Sequence, residues 1–185
     1  MASRERGGAL ALEARIPLEL ETRRLRLRRF ALDDWQPLHR HYSDIECTRF
    51  TFGRALTEGE SWRAMSGMEG HWSLRGFGPY ALVEKESSSF VGAAGLWHPG
   101  DFPEAEVKWL LLREFWGRGY ATKAVREVQA IAARHLSIRP ISLIRKENEG
   151  SRRVAVAVGA LHERNLAFRD AEWMVFRHPE RAQPK

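Results

Sequence analysis

The stretch 104–124, EAEVKWLLLREFWGRGYATKA, limits what this chain can fold into more than any other. Val107, Trp109 and Leu111 alternate with Glu106, Lys108 and Leu110 at the two-residue period of a strand. Ala121, Val125, Val128, Ile131 and Ala132 then recur at helical spacing, which predicts a helix over 121–133. Between the two lies Trp116-Gly117-Arg118-Gly119-Tyr120-Ala121-Thr122, so the chain must turn tightly out of a strand into a helix. Two glycines at such a junction let a ligand approach the backbone, and the helix start offers unpaired N–H groups and the positive end of the dipole. That combination suits a phosphate. Arg118 and Lys123 add positive charge there, and Lys123 opposes the dipole of a first helical turn unless an anion offsets it.

A chain of 185 residues with 43% hydrophobic content supports one well-buried core. The expected organisation is a flexible lead-in over 1–20, a single domain over 21–177 and a polar tail over 178–185. No apolar run approaches the roughly 20 residues that span a bilayer, and no signal-peptide pattern opens the chain. Cys47 is the single cysteine, which excludes an internal disulfide and points to a reducing, cytoplasmic location. The formal charge is +6, but 25 of the 30 basic residues are arginines spread along the chain, with no basic patch interleaved with aromatics. Nucleic acid is therefore set aside as the main partner, while the balance favours anionic ligands.

Along the chain, Leu25 and Leu27 alternate with Arg24, Arg26 and Arg28, a strand with one buried and one solvated face. Asp33 and Asp34 open a predicted helix reaching Tyr42. Thr57 and Glu60 have the spacing of a capping box for a second helix, along which Trp62, Met65, Glu69 and Trp72 follow at helical spacing. Strands are expected over 78–85 and 90–97, joined by a polar turn, with Gly92 and Gly95 permitting close approach. After the central helix come a strand over 139–145, a helix over 151–158, and a last hairpin of 160–165 and 171–177. His39 and His41 lack further ligands at metal spacing and read as a surface helix, so no metal is expected.

The 104–124 segment resembles the acyl-CoA-binding motif of the GCN5-related N-acetyltransferase (GNAT) superfamily, in its RimJ/RimL-like branch. The motif asks for Gln or Arg, two residues, Gly, one residue, then Gly or Ala; Trp116 stands first, and Gly119 and Ala121 match the rest. The resemblance covers about 21–177. It implies an α/β domain with a mixed, mostly antiparallel central sheet of about seven strands, flanking helices, and two central strands that splay apart to admit acetyl-CoA. It also implies transfer of acetyl from acetyl-CoA to a primary amine, a protein N-terminus or a small molecule, by direct attack in a ternary complex.

By the same resemblance, Leu110, Leu111 and Leu112 would bond the pantetheine arm, and Gly117, Arg118, Gly119, Tyr120, Ala121 and Thr122 the pyrophosphate. Asn148 would touch the cofactor and Ser151 would donate to the departing sulfur, although both residue types also suit plain helix capping. Glu106 is the candidate general base, with Glu104 as a fallback. Strand parity puts Lys108 on the same face as Glu106, where it either pairs with that carboxylate or recognises an acidic group on the acceptor. Trp62 and Trp72 are candidate acceptor contacts, with core packing as the alternative. Lys123 stands where Glu is usual, Lys146 where Pro is usual, and Ala157 where a lysine is often found; Arg118, Arg152 or Lys123 would then have to meet the 3′-phosphate. A non-catalytic acyl-CoA-binding or partner-binding module on the same fold stays open, as does, further off, an Arg-rich nucleic-acid-associated protein.

Overall fold

A computed structural model of the protein describes residues 13–180. The first twelve residues of the expected lead-in and the last five of the expected tail lie outside the described residues. Packing extends past both ends of the 21–177 span: Ile16 and His178 are buried, and the Tyr80 hydroxyl donates to the Pro17 carbonyl.

Among the described residues, eight strands form one sheet: β1 (Glu19–Glu21), β2 (Leu25–Arg28), β3 (Pro79–Glu84), β4 (Phe90–Trp97), β5 (Glu106–Leu111), β6 (Ile141–Ile144), β7 (Leu161–Phe168) and β8 (Ala171–Arg177). Their order is β1-β2-β3-β4-β5-β6-β8-β7. Every neighbouring pair is antiparallel except β5 and β6. The strand beyond the expected seven is β1, within what the sequence suggests is lead-in; it pairs with β2 from Glu19↔Arg28 to Glu21↔Arg26.

The helices are α1 (Trp35–Tyr42), α2 (Ile45–Thr48), α3 (Glu58–Arg75), α4 (Tyr120–Ile131) and α5 (Glu149–Ala157). The first starts later than the two aspartates suggest, because Leu32–Asp34 is a 3₁₀ turn and Asp34 is taken up by the Arg28 guanidinium at 2.6 and 2.9 Å. The capping box of α3 forms as expected: Glu60 N–H donates to Thr57 Oγ1 and Thr57 N–H to Glu60 Oε2.

Two features of this frame position the site. Glu106 and Lys108 lie on the face of β5 turned toward α3, since the Lys108 ammonium sits 4.8 Å over the Trp97 ring and Trp97 stacks on His71 of α3. Val107 and Leu111 point to the opposite face, where they are buried. The second feature is Gly92 in β4. A Cβ there would lie 2.1 Å from the Leu110 carbonyl oxygen, so only glycine lets β4 follow β5 at this separation.

Candidate active site

Strands β5 and β6 run parallel but share a single register pair, Glu106↔Ile141. Beyond it they part, which is the expected splay, and the backbone groups of β5 on that side lose their ladder partners. Parity decides which groups these are. Leu112 N–H donates to Val91 on β4, whereas the Leu111 carbonyl accepts from His41 Nδ1 at 3.0 Å and from Trp116 Nε1 at 3.0 Å. Alternation therefore commits Leu110 and Leu112 to β4 and turns Trp109, with the Leu111 N–H, into the fork. Of the three leucines expected at the pantetheine arm, Leu110 and Leu112 thus turn their backbone groups to β4, while those of Trp109, which the sequence reading did not single out, and of Leu111 point into the fork.

Glu106 stands at the vertex of this fork. Its Oε1 accepts a long hydrogen bond, 3.4 Å, from Leu143 N–H, and burial pushes its carboxyl up to about 7 against the opposing pull of the Lys108 charge. Burial in turn lowers Lys108. No ion pair within 4.0 Å joins the two, so the salt-bridge reading of Glu106 fails on distance. Glu104 serves ion pairing instead: Arg177 and Arg164 bind it and hold its carboxyl below the usual range.

At the far end of β5 the chain passes through a 3₁₀ turn, Arg113–Phe115, into the glycine turn. Gly117 (φ +73°) and Gly119 (φ +76°) both adopt the left-handed region, and Gly119 is the N-cap of α4. The first turn of α4 thus leaves the N–H groups of Tyr120, Ala121 and Thr122 without intrahelical acceptors, next to the exposed turn 116–119. Two contacts fix its position. Arg24, read from the pattern as part of a solvated face, donates to the Arg118 carbonyl and stacks 4.4 Å over the Tyr120 ring. The Tyr120 hydroxyl donates to Glu84 of β3.

A splayed parallel pair, a carboxyl at its vertex and a glycine-capped helix at its end agree with the family model for an acetyltransferase (GNAT) domain, which matches residues 24–161. The chain belongs to the GNAT acetyltransferase family. A curated relative, the uncharacterized N-acetyltransferase p20 of Bacillus licheniformis, is 31% identical over 111 residues. That match spans 59% of this chain and 62% of the relative. An acetyltransferase structure from Agrobacterium tumefaciens superposes with a TM-score of 0.80 at 26% identity, covering 96% of this chain and 99% of the other. An aminoglycoside acetyltransferase in complex with coenzyme A shares the fold alone, with a TM-score of 0.67 at 14% identity and coverage of 83% and 94%.

The remaining candidates separate cleanly within this GNAT frame. Trp72 is 2% exposed and donates from Nε1 to the Pro79 carbonyl at 2.9 Å, which makes it core and removes it from the acceptor contacts. Trp62 is 42% exposed and packs edge-on against Trp35, so it alone of the two can meet a ligand. Asn148 caps α5, accepting from Ser151 N–H at 3.1 Å, which leaves its amide nitrogen and the Ser151 hydroxyl for other partners. His41 is buried rather than on a surface helix, because the Leu111 carbonyl freed by the fork requires a donor. Arg126 reaches across from α4 to the Ala157 carbonyl at 2.9 Å, bringing a cation to the position where the lysine is missing. Nothing in the sequence marked it, since an arginine on a helix has no local signature of its partner.

Proposed function

We propose that this GNAT protein moves an acetyl group from acetyl-CoA to a primary amine by direct attack in a ternary complex, with Glu106 as general base. The observation that carries the reading is the Glu106 carboxyl at the vertex of the fork, raised to about 7 by burial. An α-amino group titrates at about 7.7 to 8, so a base of this strength takes its proton near neutrality without a large penalty. The neutral amine then attacks the thioester carbonyl; the C–N bond forms, the C–S bond breaks, and the second amine proton ends on the departing sulfur by way of the Ser151 hydroxyl. Most of the acceleration on this reading comes from positioning. Trp109 and the Leu111 N–H would hold the pantetheine arm, the Gly117–Thr122 turn the pyrophosphate, and Asn148 the arm near the sulfur. Lys108 and Trp62 face the acceptor side, where both a protein N-terminus and a small amine fit the chemistry.

The family match and the shared fold of a coenzyme A complex support acetyl-CoA as the donor. No helix among the described residues is long and apolar enough to cross a membrane, and with one cysteine in the chain we read the location as cytoplasmic. The test is calorimetric titration with acetyl-CoA, followed by thiol release with a panel of N-terminal peptides and small amines. Saturable binding with release for at least one amine is expected. Absence of binding at millimolar acetyl-CoA would overturn the reading, and binding without transfer to any amine would hand it to a non-catalytic acyl-CoA-binding module.

A further inference from the structure

The fork between β5 and β6 opens at a defined bond. Ile141 N–H donates to the Ala105 carbonyl at 3.0 Å, so the next rung of a parallel ladder would join Leu143 N–H to the Val107 carbonyl. Neither group makes that rung. The Ser142 hydroxyl donates to the Val107 carbonyl at 2.6 Å, and Leu143 N–H is directed at Glu106.

Ser142 is the end of a buried polar chain in which each proton has one consistent place. With its own hydrogen on Val107, Ser142 Oγ accepts from His178 Nε2 at 2.8 Å. His178 Nδ1 must then be an acceptor, and Gln129 Nε2 donates to it at 2.6 Å and to the Val158 carbonyl at 3.3 Å. Turning the Gln129 amide over would force a hydrogen onto His178 Nδ1, reverse the chain and leave Val107 without its donor. The observed orientation instead leaves Gln129 Oε1 buried without a partner. Ser142, His178 and Gln129 are all at most 3% exposed, and His178 is pinned through its own N–H to the Pro140 carbonyl. The chain thereby links α4, the end of α5, β6 and the segment after β8 to one carbonyl of β5.

We infer that Gln129, His178 and Ser142 form a lock that keeps the fork open, and that Ser142 and His178 are positioning residues for the site. By occupying the Val107 carbonyl, the hydroxyl prevents β5 and β6 from pairing one rung further, and it leaves the Leu143 N–H free to orient Glu106. Identification of the fork as the coenzyme A cleft rests on the proposed function; the lock itself does not.

Ser142→Ala removes the donor. Leu143 N–H is then expected to close onto Val107, slowing its amide exchange about tenfold, the equivalent of one hydrogen bond, and weakening coenzyme A binding by a similar factor. The KM for acetyl-CoA should rise with the Kd. Ser142→Cys, close in volume and a weaker donor, should shift the same readouts less and serves where the alanine variant does not fold. A folded variant with unchanged Leu143 exchange overturns the lock, even when its Tm falls. Wild-type protein that fails to bind coenzyme A sinks the cofactor reading, while the ligand-free Leu143 comparison still decides the lock.

Discussion

Replacing Glu106 with glutamine removes the raised carboxyl while keeping its shape, and two independent measurements should respond. The folded-state value of about 7 stands against 4.5 for an unperturbed carboxyl, so the folded protein holds this proton more tightly than the unfolded chain does. The contribution of Glu106 to stability is therefore fully present below pH 4.5 and lost as pH rises through 7. Linkage over the window from pH 5 to pH 8 gives a loss of about 2–3 kcal/mol in wild type that Glu106→Gln does not share. Denaturant unfolding of both proteins at the two pH values measures it directly. The difference in stability between variant and wild type should move in the variant's favour by about 2–3 kcal/mol toward pH 8. In the same variant turnover should fall by roughly 10²- to 10⁴-fold with acetyl-CoA affinity kept, and the acid limb of the wild-type pH–rate profile, inflecting near 7, should disappear. Stability curves that stay parallel across this range would show a carboxyl that titrates normally and would refute the burial argument. Unchanged turnover would remove Glu106 as the base whatever the curves show.

Gly119→Ala places a Cβ at φ +76°, and should cost about 1–2 kcal/mol on denaturation as well as weakening coenzyme A binding, because the start of α4 must shift. Trp72→Ala should lose about 3–5 kcal/mol of stability as a core truncation, whereas Trp62→Ala should leave the unfolding midpoint nearly unchanged and alter only the KM of the acceptor. Arg126→Ala should weaken binding of coenzyme A about tenfold while leaving dephospho-CoA unaffected, as expected of one charge-assisted contact to the 3′-phosphate; equal losses for both ligands in calorimetry would place that contact elsewhere.

The parts of this molecule that the sequence makes legible are those whose cause is local. The Thr57–Glu60 capping box, strand β4 over Phe90–Trp97, strand β8 over Ala171–Arg177 and the glycine turn into α4 all follow from period, cap and turn chemistry acting within a few residues. Strand β1 escapes because Glu-Leu-Glu is too short to show a period, and it exists only through its pairing with β2. The stripe of α3 carries Trp62 and Trp72 alike, and helical spacing does not say which of them faces the sheet. His41, Ser142 and His178 escape for a further reason. Each answers a backbone carbonyl or a polar group distant in sequence, and a polar residue in a strand or helix carries no mark of so remote a partner.

The one-residue offset between the backbone expected at the cleft and the backbone that faces the fork has the same origin. A strand has period two, so the groups it leaves unpaired depend on the phase of its ladder with the neighbouring strand. Here that phase is set from β4, by Leu112 N–H on Val91 and by the close approach that Gly92 allows. The same phase that directs Leu110 to β4 directs Val107, Trp109 and Leu111 to the fork. Each of these freed groups then has to be satisfied: Val107 by Ser142, Leu111 by His41 and Trp116, and Trp109 by whatever enters the cleft. Protein side chains close the fork at its vertex and at its far end, and the unanswered backbone lies between them. On the function proposed above, amide groups along the pantetheine arm would pair with that interval, and the gap between Ser142 and His41 would set how much of the arm the strand holds.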